Sequence, residues 1–391
     1  LRDAAQRSGR LTIRQNAEVT AVLQDGDGVR VDITDTLSGE RDSVRAGYVL
    51  GCDGANSLIR ACTGTVMRDL GFTQRWLVVD AATTAGLDHW EGVHQVCDPG
   101  RAATYMRIGK TRYRWEFRLN PGESAAGYRE TDGLHPLVAR WTRDIPATEL
   151  EVVRTAEYTF RAQVARHWRD RRIFLLGDAA HLTPPFIGQG MGAGLRDALN
   201  LAWKLAGVLD GTLPESVLDT YEAERKPHAT AMIRLAKLIG TAMTEGGEFG
   251  NLLRRVVAPR LGLLPGLKNQ ILSSQTPALQ RSALVLRPRL KRGLAGSLCP
   301  NAELGDGRRL DQATAGRFAI LTTASPSGDL ASAARRRGAI ILTAERETEL
   351  RRWLDRHGAR AVVVRPDGTV LHAGRDLAAA CAALPTIPSG V

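Results

Sequence analysis

Apolar and polar positions alternate with a period of two through much of the first fifty residues, as half-buried strands require. Segments 17–23 and 29–33 read as strands, with a shorter one at 11–14, and the Asp-Gly pairs between Gln24 and Gly28 mark a hairpin turn. A helix over residues 1–8 precedes them. The run 47–52 is nearly continuous in apolar residues and predicts a buried strand, broken at Asp53-Gly54 before a short helix that carries Arg60. Between 72 and 160 the pattern changes to β-type runs at 76–81, 103–108, 113–119 and 152–160, divided by Gly, Pro and Asp clusters. This predicts a mainly antiparallel sheet. Trp and Tyr concentrate there, as a wall against which a flat aromatic molecule would lie.

The period changes after 173. A short apolar strand (173–176) runs into Gly177-Asp178, a Pro- and Gly-rich loop follows, and a helix begins near Met191. Leu195, Leu199, Ala202, Leu205, Ala206 and Leu209 fall on one apolar face of that helix. Residues 213–224 and 227–242 continue as two further helices. A basic stretch with Gly and Pro interruptions (244–294) reads as a linker with short helices. From 295 strands at 318–321, 339–342, 361–364 and 370–371 alternate with helices at 329–337 and 347–357, a small α/β module. The fold class is α/β (α+β), without internal repeats.

Composition narrows the picture. The chain has 391 residues, a net charge of +11 and five dispersed cysteines (Cys52, Cys62, Cys97, Cys299, Cys381). No Cys-x-x-Cys pair occurs, so reduced and mostly buried thiols are expected, with neither disulfides nor a zinc site. The basic residues are spread out and accompany no nucleic-acid-binding motif, which sets nucleic acid aside as a partner. An anionic substrate or phosphorylated cofactor suits the charge equally well. No run is long and apolar enough for a membrane helix, and no signal segment opens the chain, so a cytoplasmic setting without membrane partners is the expectation.

Three places carry chemistry. At Gly177-Asp178 a carboxylate follows a strand and a tight turn, where it can accept hydrogen bonds from a sugar-alcohol hydroxyl; an Asx turn is the plainer reading. Gly188-Gln189-Gly190-Met191-Gly192-Ala193-Gly194 fits Gly-x-Gly-x-x-Ala on paper, but Pro184 and Pro185 separate it from the preceding strand. It reads better as a glycine turn whose backbone N–H groups approach a flat ligand edge at a helix start. Asp53-Gly54-Ala55-Asn56-Ser57 with Arg60 is a second strand–turn–helix corner, suited to a hydroxyl and a phosphate, or simply a turn with a surface Arg. His181 is a candidate base or ligand, although a structural hydrogen bond suits it better. Signatures for acyl transfer and nucleotide hydrolysis are absent.

Together these segments resemble the FAD-dependent aromatic hydroxylases, flavoprotein monooxygenases similar to p-hydroxybenzoate hydroxylase. Residues 48–60 resemble the family's Asp-Gly motif, and 177–205 its Gly-Asp motif. Gln95-Val96-Cys97-Asp98-Pro99, Arg114-Trp115-Glu116-Phe117, Tyr158-Thr159-Phe160 and Tyr221-Glu222-x-Glu224-Arg225-x-Pro227-His228 resemble the 3-(3-hydroxyphenyl)propionate hydroxylase branch. The resemblance implies a Rossmann-like FAD-binding domain (1–68 and 162–243), an inserted substrate-binding sheet (69–161), a linker (244–294) and a thioredoxin-like C-terminal domain (295–391) without redox cysteines. It implies that Asp178, with Gly177, holds the ribityl chain of FAD. Gly190, Met191 and Gly192 would face the flavin, and Pro184, Pro185 and Gly188 would flank the reaction centre. Asp53 and Arg60 would lie near the pyrophosphate and the path of the nicotinamide donor. NADH or NADPH, O2 and a small phenolic substrate are the implied partners, reacting through a flavin C4a-hydroperoxide; a homodimer is left open.

Two departures qualify it. Gly192 stands where many relatives have Asn. The family also opens with a βαβ unit carrying Gly-x-Gly-x-x-Gly, which these 391 residues do not contain. The FAD-binding domain is therefore expected to be incomplete at its N-terminus, and this polypeptide to lose its flavin. A tailoring hydroxylase for larger polyketide-like aromatics, and a non-catalytic homologue, are the alternatives.

Overall fold

The computed structural model describes residues 2–87, 91–98, 100–128, 131–143, 145–244, 276–288 and 293–385. They fall into two compact units, 1–68 with 164–181, and 69–163 with 182–391. Among the described residues no helix is long and apolar enough to cross a membrane. Most of the expected linker, 245–275 and 289–292, lies outside the described residues.

In the first unit α1 (Arg2–Arg7) precedes an antiparallel meander of β1 (Ala17–Gln24), β2 (Val29–Asp35) and β3 (Arg41–Ala46). The predicted Asp-Gly turn closes it: the Asp25 carboxylate accepts the N–H groups of Asp27 and Gly28, both at 2.9 Å. The strand expected at 11–14 does not form, since no described strand pairs with it and Leu11 and Ile13 stay exposed. β4 (Val49–Gly51) runs parallel to β11 (Ile173–Leu175), which pairs with β10 (Arg169–Asp170). Of β4 only Gly51 is buried. As the edge strand of its sheet among the described residues it leaves Leu50 open, which corrects the buried strand expected there. Gly51 is a packing requirement, because a Cβ there would stand 2.8 Å from the Ile59 side chain of α2 (Leu58–Cys62).

The second unit is built on a sheet whose strands run in the order β9-β5-β8-β7-β6, from β5 (Met67–Ala82), β6 (His94–Val96), β7 (Ala103–Arg107), β8 (Arg112–Arg118) and β9 (Glu151–Ala165). Alternate residues face opposite ways. Leu77, Val79, Tyr105, Tyr113, Trp115 and Phe117 pack with Leu134, Val138 and Trp141 of α3 (Thr131–Thr142) into one buried cluster. The aromatic residues expected to wall a substrate are thus largely core, covered by a helix whose internal Pro136 hid it from the sequence reading.

β12 (His181–Leu182) leads to α4 (Gly190–Leu209) and α5 (Asp219–Thr244). α5 is one helix through Pro227, where two were expected; its packing outweighs the missing N–H. The face of α4 is also corrected. Its buried positions are Ala193, Asp197, Asn200, Leu201, Lys204 and Gly207. Leu195, Leu199 and Leu209 are 51%, 61% and 65% exposed. The C-terminal module has the sheet order β14-β13-β15-β16, from β13 (Ala319–Thr322), β14 (Ile340–Thr343), β15 (Ala361–Val364) and β16 (Val370–Gly374), after α6 (Leu310–Thr314). α7 (Gly328–Arg336) and α9 (Leu377–Ala383) contribute to the core on one face, and α8 (Glu349–Arg356) to that on the other.

Candidate functional site

In the first unit two strand–turn–helix corners lie side by side. Parallel pairing aligns Gly51 with Leu175, and Leu176 N–H donates to the Gly51 carbonyl at 3.0 Å, so both strands end together. Gly177 takes φ 56, a left-handed turn glycine allows, and begins a short 3₁₀ turn that holds Asp178 exposed. No described residue hydrogen-bonds the Asp178 carboxylate. Asp53 differs: it accepts from Ser57 Oγ at 2.6 Å and from the Ile59 N–H at 3.0 Å, fastening the start of α2. Arg60 donates to the Ala179 carbonyl at 2.9 Å and to the Ala55 carbonyl at 2.7 Å. Burial draws its pKa down, with Asp53 opposing. Arg60 therefore ties the Asp53 corner to the Asp178 corner and retains further N–H donors.

In the second unit Pro184 (φ −57, ψ 142) leads into a 3₁₀ turn, Pro185–Ile187. Gly188 closes the turn at φ 61, with its N–H on the Pro185 carbonyl at 2.9 Å. α4 then starts at Gly190 without a side-chain cap, so the first-turn N–H groups have no partner in the helix. A Cβ on Gly188 or Gly190 would meet nothing within 4 Å, and Met191 is 82% exposed. This helix start is open to a ligand edge. The loop itself is anchored through Phe186, whose ring lies 5.7 Å from Phe72 and 5.8 Å from Trp76. A Cβ on Gly240 of α5 would come within 2.3 Å of the Phe186 ring, so only glycine fits there.

The sheet face that Phe186 touches is the one opposite α3. On it Trp76 is followed by a row formed by Val78, Glu116, Thr104 and Gln95, and then by a row of Asp80, Arg114 and Met106. Arg114 is bound by both oxygens of Asp80, at 2.6 and 2.9 Å. Thr104 Oγ1 donates to Gln95 Oε1 at 3.0 Å. Burial pushes the Glu116 carboxyl up, Arg114 opposing. Trp76 also packs on Phe160, which stacks with Tyr158.

Sequence reasoning missed a buried charge network behind α4. Arg225 Nε donates to Asp197 Oδ1 at 2.9 Å. Lys204 Nζ lies 3.0 Å from Glu224 Oε2, which Asn200 also reaches at 2.8 Å. Arg365, at the end of β15, binds both Glu224 oxygens at 2.9 and 3.0 Å and also pairs with Asp367. Burial pushes Glu224 up, and Arg365 and Lys204 more than offset it, holding it at about 2. The signal lay in the polar spacing Asp197, Asn200, Lys204 on one side of an Ala- and Leu-rich helix. The network joins α4, α5 and the C-terminal module.

His181 is buried and stacks on Trp168 at 5.1 Å, the environment of a core ring. Among the described residues no group of His, Cys, Asp and Glu is placed to hold a metal. None of the five cysteines is in a disulfide, but only Cys381 is buried, whereas Cys52 and Cys62 are exposed. The expectation of mostly buried thiols fails because Cys52 follows an edge strand and Cys62 ends a short helix.

Comparison with known proteins places the chain. The family described as "FAD binding domain" matches residues 1–236. The chain is 44% identical over 236 residues to a probable NADH-specific resorcinol 4-hydroxylase of Rhodococcus jostii (strain RHA1), covering 59% of this chain and 43% of that protein. It is 33% identical to 3-(3-hydroxy-phenyl)propionate/3-hydroxycinnamic acid hydroxylase 2 of Burkholderia vietnamiensis (strain G4 / LMG 22486), over 94% of this chain and 73% of the relative. Among solved structures, a ternary complex of aklavinone-11 hydroxylase with FAD and aklavinone superposes with a TM-score of 0.75 at 24% identity, over 94% of this chain and 72% of the other. The anhydrotetracycline hydroxylase OxyS from Streptomyces rimosus gives 0.74 at 24% identity, over 94% of this chain and 73% of the other. These two carry the fold, and the curated relatives carry the family. The chain belongs to the FAD-binding domain family, among the FAD-dependent aromatic hydroxylases.

Proposed function

We propose that the protein is a monooxygenase that hydroxylates a phenolic aromatic substrate, related to 3-(3-hydroxyphenyl)propionate or resorcinol, with FAD as cofactor, NADH or NADPH as reductant and O2 as oxidant. The residues present fit FAD in two places. Asp178 offers a carboxylate free of described partners at the ends of parallel strands, where nucleotide-type cofactors lie. The start of α4 offers uncapped N–H groups beside glycines with open space where a Cβ would stand. When bound, FAD supplies the redox chemistry and the activation of oxygen.

The chain's own residues bind, orient and exclude. Asp178 accepts hydrogen bonds from ribityl hydroxyls, and Gly177 lets the turn present it. The N–H groups of Gly190, Met191 and Gly192, with the α4 dipole behind them, favour negative charge at the edge of the flavin ring. Pro184 and Pro185 lack N–H groups, and with Gly188 they would keep a rigid loop at the reaction centre. Asp53 and Arg60 position the Asp178 corner, and the spare Arg60 donors serve a phosphate. The Rhodococcus relative's name favours NADH as the donor.

The observation that carries this reading is the open, uncapped start of α4. The test is NADH oxidation with added FAD, stimulated by 3-(3-hydroxyphenyl)propionate or resorcinol and compared with a polycyclic phenol, together with the hydroxylated product. Stimulation by the small phenols is expected. A response to the polycyclic phenol alone points to a tailoring hydroxylase, and no response to any phenol to a non-catalytic homologue.

A further inference from the structure

The sheet face opposite α3 carries Asp80, Arg114, Glu116 and Arg118, and what they would select rests on the monooxygenase reading. Trp76, at one end of it, holds Phe186 of the loop that carries Pro184, Pro185 and Gly188. Glu116 stands in the next row along the strands, beside Val78 and Thr104. Two residues of strand advance about 7 Å, so this row begins about one aromatic ring from the loop's anchor. No described residue hydrogen-bonds the Glu116 carboxylate, although burial has already cost it water. Its cationic neighbour Arg114 offsets this only in part, being held by both oxygens of Asp80 at 2.6 and 2.9 Å. Arg154, close to Tyr158, donates to the Tyr158 hydroxyl. Glu116 is left as an acceptor without a described donor; Asp80, Arg114 and Glu116 together carry one negative charge in excess, while Arg118, on the same face two residues along the strand, donates to the Thr244 carbonyl at 2.6 Å.

We propose that Glu116 is a specificity-determining residue that accepts a hydrogen bond from a ring hydroxyl of the substrate, so that the site takes uncharged polyhydroxylated rings and rejects rings bearing a directly attached carboxylate. A phenolic O–H supplies the donor that Glu116 lacks, and a hydrogen bond to a charged acceptor is among the stronger ones. A ring carboxylate placed there faces Glu116 and Asp80 with the Arg114 guanidinium engaged by Asp80 and that of Arg118 by the Thr244 carbonyl, a desolvated like-charge contact. The saturation of Arg114 by Asp80 sets the preference. Were Asp80 neutral, the same face would offer an Arg to an anion.

The experiment is calorimetric titration of the 391-residue protein, with FAD present and NADH absent, using resorcinol and benzoate as probes. The wild type should bind resorcinol more tightly than benzoate. Glu116→Leu should weaken resorcinol about tenfold or more, and Glu116→Gln, which keeps a carbonyl acceptor, should retain most of the binding. Asp80→Asn should tighten benzoate, a gain that a merely structural role does not produce. Melting midpoints accompany each variant, and Glu116→Gln and Asp80→Asn carry the test if the leucine variant does not fold. Wild-type protein that prefers benzoate or binds neither probe, unchanged resorcinol binding in a folded Glu116→Leu, or unchanged benzoate binding in a folded Asp80→Asn overturns the proposal. Binding is read without turnover, so failure of NADH oxidation with this selectivity intact would count against the monooxygenase reading alone.

Discussion

Glu224 shows how much one side chain can organise. It lies fully buried between Lys204 and Arg365, with Asn200 and Ser282 completing its hydrogen bonds. Removing one partner of a buried pair leaves a charge without compensation, at a cost of about 3–5 kcal/mol. Arg365→Met is therefore expected to lower stability by about that amount in urea unfolding, while leaving Asp178 and its neighbours in place. His228 gives a pH signature. Burial, then Arg225 and Arg196, pulls it from 6.5 to about 3. The unfolded chain thus takes up a proton as pH falls below about 6.5, and the folded chain does so only near 3. Stability from this residue is fully present above 6.5 and is lost progressively on acidification towards 3. Urea midpoints between pH 7 and pH 5 should decline in the wild type and decline less in His228→Asn. The pairing of Glu224 with Arg365 was not legible in the sequence, because Arg365 and Asp367 flank a proline in what reads as an ordinary turn, 141 positions from Glu224.

Individual elements were read with uneven success, for physical reasons. The strands at 76–81, 103–108 and 113–119 announced themselves as β-type runs between turn clusters, and Asp-Gly announced the first hairpin. Alternation says which residues share a face but not which face a helix will cover, so the aromatic side was taken for a ligand wall when α3 buries it. α4 was misread in the same way: its leucines form an apolar stripe, yet the side that packs on α5 carries Asp197, Asn200 and Lys204. The glycine turn before α4 was legible because its spacing has a conformational reason, seen in Gly188 at φ 61. Gly240 was not, since its neighbour Phe186 is remote in sequence. Gly240→Val drives a side chain into the Phe186 ring and should destabilise by about 1–3 kcal/mol through overpacking. It should also displace the 185–187 turn, so thermal melts and substrate-stimulated NADH oxidation are expected to fall together.

At the scale of the molecule, the second unit includes a C-terminal module joined to α4 and α5 through Glu224 and Arg365. The account depends on the start of α4 meeting the cofactor's edge, and Gly190 tests that contact directly. Its Cβ position is open, so Gly190→Val should leave the melting midpoint nearly unchanged. The decisive measurement is a flavin-fluorescence titration of wild type and Gly190→Val with FAD. Weak, saturable quenching in the wild type that disappears in the folded variant is the predicted result; equal quenching in both, or none in the wild type, contradicts it.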